Sequence, residues 1–302
     1  MTKKVLITGG TGFVGYHLAK KFLSKGWEVT SLSKTKPKKE KLLPKINYIF
    51  ADISKKNSLK KKLKKNFNFV INLAGYVDHK NKKKTISSHY IGCKNIAELF
   101  LNKKLQKFIQ IGSSVEYGKL KSPHKENFTI KRSYSYYGFA KLSCTKLLLS
   151  YYKKYNFPAT IVRPYLLYGP RQDINRLIPI VIYNAMLDKS FDCSNGTQYR
   201  DFLYIDDFVE ALLKVLKNKK TTGEIINIGN GKPILVKKII LKICNFLQLG
   251  NPLFGKIKLR KDEVKYLYPD LNKAKKLINW KAKTSIDLGL KKTIKYFRKN
   301  VR

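Results

Sequence analysis

The sequence predicts an α/β fold: a doubly wound parallel sheet covered by helices on both faces, with a smaller mixed lobe after it. Three observations predict it. Short apolar runs alternate with longer helical patterns through the first half of the chain, and strands alternating with helices run parallel and bury both faces. A glycine-rich segment, Thr8-Gly9-Gly10-Thr11-Gly12-Phe13-Val14-Gly15, joins the first apolar run to the first helical pattern. The alternation then fades after Pro164. With 302 residues, 43% of them apolar, the chain can bury a sizeable core.

Val5–Thr8 reads as the first strand and His17–Lys25 as the first helix. Glu28–Leu32, Ile46–Phe50, Phe69–Leu73, Phe108–Ile111 and Thr160–Arg163 follow as strands. Ser58–Lys65, Ile91–Asn102 and Tyr137–Tyr155 read as helices between them. Leu59 and Leu63 are four apart and share a helix face. Lys34–Lys45 reads as a solvated loop. Arg171–Tyr199 reads as irregular, Asp206–Leu216 as a helix and Ile225–Gly229 as a strand. Short, Lys-rich helices fill the last seventy or so residues.

The chain carries 64 Lys+Arg against 19 Asp+Glu, a formal net charge of +45. Such charge attracts phosphate backbones, yet only eight of the cations are Arg and 56 are Lys. Recognition of phosphates and base edges favours the forked guanidinium of Arg. The Lys are spread along nearly the whole chain, so the charge reads as a solvated surface and nucleic acid is not the expected partner. No run approaches the roughly 18 apolar residues of a membrane span, and the N-terminal apolar run is too short for a signal peptide. A cytoplasmic protein is expected. Cys93, Cys144, Cys193 and Cys244 are widely spaced and the four His form no ligand motif, so no metal site is expected.

In the glycine segment, Gly9 permits a tight turn. Gly12 lets backbone N–H groups reach a pyrophosphate at the helix N-terminus, and Gly15 lets the helix pack close to the sheet. The strand–loop–helix context makes this a dinucleotide-binding loop. The second strand ends at Leu32-Ser33-Lys34, where an NAD site usually places a carboxylate for the ribose 2′-OH. Ser33 with Lys34 suits a 2′-phosphate instead, so NADP(H) is favoured over NAD(H). Asp52, before Ile53, either accepts from the adenine amino group or caps the next helix.

Tyr137 and Lys141 are four apart, and on a helix they share one face. An ammonium and an oxidised nicotinamide beside the phenol would make it a usable acid or base near neutral pH. Ser113 and Ser114 follow the strand Phe108–Ile111, and the carboxyl end of a parallel strand faces the ligand crevice. Either serine can orient a carbonyl or alcohol beside the tyrosine, or cap the next segment.

Taken together these motifs resemble the extended short-chain dehydrogenase/reductase family, in its nucleotide-sugar epimerase/dehydratase group. The resemblance runs from about residue 3 to about residue 290. It rests on the glycine loop, the Ser pair, Tyr137/Lys141, Arg163-Pro164 with Tyr168-Gly169-Pro170-Arg171, and Arg200-Asp201-Phe202-Leu203-Tyr204-Ile205-Asp206-Asp207, in the family's order. It implies a Rossmann-type domain over residues 1–164 plus about 203–229, and a nucleotide-sugar-binding lobe over about 165–202 and 230–302. It also implies Tyr137 as acid/base, Lys141 on the nicotinamide ribose, and Ser113 with neighbouring Ser114 beside the sugar oxygen. Gly9, Gly12, Phe13, Val14 and Gly15 would cradle the pyrophosphate. Ser33, Lys34, Asp52 and Ile53 would surround the adenosine, and Leu73, Ala74, Gly75 and Pro164 would run beside the cofactor. Arg171, Arg200 and Arg260 would grip the substrate, where Lys is a poor substitute for a bidentate guanidinium. Family members often dimerise through the helices near Ile91–Asn102 and Tyr137–Tyr155, so a homodimer is expected.

Departures from the family pattern narrow the reaction. Family 4,6-dehydratases place Asp-Glu directly after the catalytic Thr or Ser; here Ser114 and Val115 stand there. Glu116 is one residue late, and on an extended segment one residue turns the side chain to the other face. Leu166 replaces a frequent Asn, and His89 replaces the usual Asn of the helix after the fourth strand. A dehydratase is disfavoured. A 4-ketoreductase using NADPH is favoured slightly over a 4-epimerase with bound NAD, on Ser33-Lys34. A non-catalytic basic protein binding nucleic acid is a third reading, which the intact Ser-Tyr-Lys set argues against.

Overall fold

The first 164 residues form β1 (Lys4–Thr8), α1 (Phe13–Leu23), β2 (Glu28–Ser33), β3 (Ile46–Phe50), α2 (Lys56–Lys62), β4 (Phe69–Asn72), α3 (Lys82–Ile86), α4 (Gly92–Phe100), β5 (Lys107–Ile111), α5 (Tyr136–Tyr155) and β6 (Ala159–Pro164). The remainder forms β7 (Leu166–Tyr168), α6 (Leu177–Met186), β8 (Ser190–Cys193), β9 (Tyr199–Arg200), β10 (Phe202–Tyr204), α7 (Ile205–Lys217), β11 (Ile225–Ile228), β12 (Ile234–Leu235), α8 (Val236–Leu247), β13 (Asn251–Phe254), β14 (Tyr266–Leu267), α9 (Asn272–Ile278) and α10 (Ile286–Asn300). These assignments come from a computed structural model, which describes residues 2–37, 39–78, 81–130, 133–259 and 263–300.

Strand alternation decides the layering. In β1, Val5 and Ile7 point into one core and Leu6 into the other; in β5, Ile109 and Ile111 oppose Phe108. Successive strand residues face opposite sides, so both faces of the sheet need a cover. One face is covered by α2, α4 and α5 through Leu59, Ile96, Phe100, Cys144 and Leu148. The other is covered by α1 and α7 through Leu18, Phe22, Phe208 and Leu212. That second core continues without a break into α6, α8 and α10 at Ile178, Ile239 and Leu290. Each large side chain so buried contributes roughly 1.5–3 kcal/mol.

Seven strands form one sheet in the order β11-β6-β5-β4-β1-β2-β3. Every neighbouring pair in it is parallel, with Val5 opposite Val29 on one side and Phe69 on the other. This is the expected Rossmann-type doubly wound sheet. The chain leaves β1 toward β2 and β3, then returns to β4 on the far side. Ligand crevices open at such a reversal, outside the carboxyl ends of the strands.

Several boundaries differ from the sequence reading. Helix α1 begins at Phe13 rather than His17, so Gly15 lies inside it. Helix α2 ends at Lys62, and Leu63 is buried outside it. The helix expected at Ile91 begins at Lys82 and passes through a π-helical turn at Ser87–Ile91 before α4. The segment Arg171–Tyr199, expected to be irregular, holds α6 and β8. Its Leu177-Ile178-Pro179-Ile180-Val181-Ile182 run has no polar side to set a period. Pro179 sits in the helix's first turn, where a missing N–H costs little. All four cysteines are buried and free. Among the described residues no helix is long and apolar enough to cross a membrane.

Candidate active site

A cleft of about 2220 Å³ opens at the β1/β4 reversal. That exceeds the roughly 300–1,000 Å³ of an ordinary small-molecule site and has room for a dinucleotide and a second nucleotide together. It is lined by Gly9, Gly12, Phe13, Val14 and Gly15, by Ser33 and Lys34, by Asp52 and Ile53, and by Leu73, Ala74 and Gly75. Ser113, Ser114, Tyr137, Lys141 and Pro164 complete the expected set around it.

The phosphate end is made of backbone. Gly9 takes φ of +71°, and Gly12 N–H donates to Gly9 O at 3.0 Å to close the turn. A Cβ on Gly15 would lie 2.6 Å from Gly10 Cα, so only glycine lets α1 approach the loop this closely. Helix α1 has no side chain capping its N-terminus and no acid in its first turn. Its first N–H groups and its dipole are therefore left to an anion. This cradle fits the pyrophosphate of a nicotinamide dinucleotide.

The floor is braced by a buried polar chain across three strands. Thr8 Oγ1 donates to Asn72 Oδ1, and Asn72 Nδ2 donates to Gln110 Oε1 at 2.7 Å. Ala74 N–H donates to Thr8 Oγ1 at 3.2 Å, tying the end of β4 to β1. Sequence patterning missed these three residues because each sits within an apolar strand run.

At the centre, Ser135 Oγ accepts from Gly138 N–H at 3.0 Å and caps α5, which fixes where Tyr137 and Lys141 emerge. Lys141 is 4% exposed; its Nζ donates to Ile111 O at 2.7 Å and lies 5.7 Å from the Tyr137 ring centre. Ser113 is partly exposed and Ser114 buried. Ser113 Oγ accepts from Val115 N–H at 3.4 Å, so the expected capping contact is present in the same residue that lines the cleft.

Glu116 is placed differently from the extended-segment expectation. Ser114–Tyr117 is a 3₁₀ turn, and Glu116 is its reciprocal capping partner. Its Oε1 accepts from Ser113 N–H at 2.9 Å. Its Oε2 accepts from Arg163 Nε and Nη2 at 3.0 and 2.7 Å and from Thr145 Oγ1 at 2.7 Å. Glu116 and Arg163 are 0% and 1% exposed. The carboxylate is a buried strut behind the serine, turned away from the cleft by a helical turn and not by a strand's alternation.

At the end expected to take the adenosine, Asp52 does not cap α2, whose N-cap is Lys55. Its Oδ1 accepts from Ser54 N–H and Oγ at 3.0 and 2.7 Å, and its Oδ2 lies 2.9 Å from Lys34 Nζ. Burial pushes the carboxyl's pKa up, but the Ser54 hydrogen bonds and Lys34 outweigh it and hold it at about 2. Ser33 Oγ pairs with Thr11 Oγ1 at 2.9 Å.

The arginines lie elsewhere. Arg171, at φ +69°, stacks on Tyr16 with its guanidinium 3.9 Å from the ring centre and does not line the cleft. Arg200 is 5% exposed; Nη1 donates to Tyr199 O at 2.7 Å, and Nη2 pairs with Glu263. It too is outside the cleft wall. Arg260 lies outside the described residues. The cleft instead presents Arg176, together with Tyr76, His89, Ser133 and Tyr136. Their positions depend on which loops fold over the crevice, and only His89 left a signal, as a departure from the usual Asn.

The sequence model of the "NAD dependent epimerase/dehydratase family" matches residues 5–229. The chain is 32% identical over 227 residues to a UDP-glucuronate 4-epimerase of Thermodesulfobacterium geofontis, covering 72% of this chain and 67% of that one. Its fold is similar to a UDP-glucuronic acid 4-epimerase from Bacillus cereus in complex with UDP-glucuronic acid and NAD (TM-score 0.87, 27% identity, 98% of this chain and 99% of that one). It is also similar to a UDP-glucose 4-epimerase with UDP-glucose from Thermotoga maritima (TM-score 0.91, 25% identity, 99% and 100%). With the backbone phosphate cradle and the matching sheet, these findings make the chain a member of the NAD-dependent nucleotide-sugar epimerase/dehydratase family.

Proposed function

We propose that this protein is a nucleotide-sugar 4-epimerase working with bound NAD. The observation that carries the reading is the Lys34–Asp52 pair at 2.9 Å. Taken from the sequence, Lys34 is a free cation awaiting a 2′-phosphate; paired, its charge is already balanced, which removes the main reason to favour NADP. The similarity to three 4-epimerases points the same way.

NAD, when bound, supplies reversible hydride exchange at the sugar's C4 carbon. The chain's own residues handle the proton. Tyr137 takes the proton of the C4 hydroxyl and later returns it. Lys141 holds a positive charge near the ring, which favours negative charge developing on the phenol oxygen. Ser113 donates to the sugar oxygen and keeps it within reach of Tyr137. Glu116, bound to Arg163, is not available as a base at C5, and among the described residues no other carboxylate stands beside Tyr137 in the cleft lining. Two copies pair through α4 and α5, where Tyr152 and Tyr155 stand exposed; sedimentation checks this.

The test has two parts. Denatured, purified protein should release NAD, and the native protein should interconvert the C4 epimers of a UDP-sugar, followed by proton NMR. Tyr137→Phe should keep the cofactor and lose about 10³-fold or more in turnover, since it removes the acid/base group. Full activity in that variant would sink the assignment.

A second reading, a 4-ketoreductase using NADPH, is favoured by one observation. The Lys34 side chain is 74% exposed, so a 2′-phosphate could draw it from Asp52. Net oxidation of added NADPH by a 4-keto-sugar nucleotide, with no released NAD, selects that reading.

A further inference from the structure

His89 replaces the usual family Asn, and its ring sits at a junction. It lies on the π-helical turn Ser87–Ile91 and is 6% exposed. Such turns interrupt a helix at some cost and occur often at functional sites. Nε2–H donates to Tyr76 O at 3.1 Å, and His89 O accepts from Cys144 Sγ of α5 at 3.3 Å. The ring packs edge-on against Tyr137, with centres 5.0 Å apart and planes at 66°.

Its other face is set by Gly75. A Cβ on Gly75 would overlap the His89 ring, lying 2.8 Å even from Nε2. Gly75 follows β4 and lines the cleft, so the absence of its side chain makes the space the imidazole fills. The ring thus sits between the end of β4 and helix α5.

We infer that His89 is a positioning residue that sets the angle of the Tyr137 ring through an interlock with Gly75. The inference rests on Tyr137 being the proton-transfer group proposed above. A phenol free to rotate about its side-chain bonds meets the sugar oxygen at the working distance for only part of the time. An edge-to-face partner narrows that range.

The test separates ring placement from turnover. In protein labelled with ring-¹³C tyrosine, the Tyr137 signal among 19 tyrosines is the one lost in Tyr137→Phe. His89→Ala should move that signal, because the ring current of the imidazole is gone. It should lower kcat about 10- to 100-fold while sugar KM and NAD affinity stay within about 2-fold. His89→Phe, which keeps a ring but not Nε2, should recover most of kcat. Gly75→Ala should shift the same signal by pushing the imidazole aside. Gly75→Ala in the His89→Ala background should cost little more, since the two act on one contact.

An unmoved Tyr137 signal or an unchanged kcat in His89→Ala overturns the inference. So does a His89→Phe as slow as His89→Ala, or Gly75 and His89 penalties that multiply. If the signal moves as expected but the parent protein turns over no nucleotide sugar, the reading of the reaction fails and the interlock stands.

Discussion

The two ends of the cleft are built on different principles. The phosphate-cofactor end is made of backbone: a glycine turn, an uncapped helix N-terminus and the ends of β1 and β4. The substrate end is expected to rest on long side chains, Arg171, Arg200 and Arg260. Of the two that are described, one stacks on Tyr16 and the other is held by Glu263 and Tyr199 O. Groups fixed by local backbone geometry stay where their motif puts them. A guanidinium on a flexible stem goes to whatever acceptors the fold brings near, and burial makes it keep them.

The sharpest test of that contrast lies between the two ends, at the Glu116–Arg163 strut. Glu116→Gln leaves Arg163 as a buried cation without its counter-charge. It should cost about 3–5 kcal/mol in urea unfolding, with turnover falling because Ser113 loses the carboxylate that holds its N–H. A loss under about 1 kcal/mol would show that the strut does not brace the serine.

Gly15→Ala tests the backbone end. Its Cβ meets loop backbone that cannot move aside. NAD affinity should fall about 10- to 100-fold, matching roughly 1–3 kcal/mol of overpacking. Calorimetry of cofactor binding checks this, and sugar KM at saturating cofactor should change little.

Arg200→Ala tests the side-chain end. With its guanidinium committed to the lobe's own carbonyls and Glu263, the variant should lower Tm by several degrees, in line with about 1–3 kcal/mol for unsatisfied buried acceptors. Sugar KM should stay within a few-fold. An unchanged Tm with KM raised tenfold or more would instead make Arg200 a diphosphate clamp, and the contrast between the two ends would disappear.

The smallest effect is a pH dependence at Asp201. Its carboxylate is 0% exposed and accepts from Asn230 and Gly231 N–H, both at 2.6 Å. Burial nevertheless raises its pKa to about 6. A buried acid whose folded pKa lies above its unfolded value costs stability once ionised. The cost is absent below about pH 4, grows as pH rises, and is complete above about pH 6. Relative to Asp201→Asn, the parent protein should therefore gain stability between pH 7.5 and pH 5, measured by denaturant midpoints at each pH. A parent that loses stability over this range relative to the variant would contradict the direction of the shift.

The seven-strand sheet was legible because each strand is a short apolar run bounded by turn chemistry, and the glycine loop, Ser113 and the Tyr137/Lys141 pair lie at ends those runs define. Helix α6 was not, since its first six residues are all apolar, exposed Ile180 included, and leave no periodic trace. Asp52 was read as cap or adenine partner; its Ser54 contacts are local, but its Lys34 contact depends on β2 and β3 lying side by side. Glu116 was expected to face away from the crevice through a strand's alternation; a 3₁₀ turn turns it away instead.

The +45 charge determined nothing about the fold. The sequence alone determined the layered sheet, the glycine turn that opens α1, and the placing of Ser113, Tyr137 and Lys141 at element ends that line the cleft, because each follows from local periodicity and backbone freedom. Only the tertiary structure decided that Lys34 answers Asp52, that Glu116 answers Arg163, and that His89 fills the space left by Gly75. Those pairings join residues 14 to 47 positions apart. They arise from which surfaces the folded sheet brings together, and no local pattern in the chain encodes that choice.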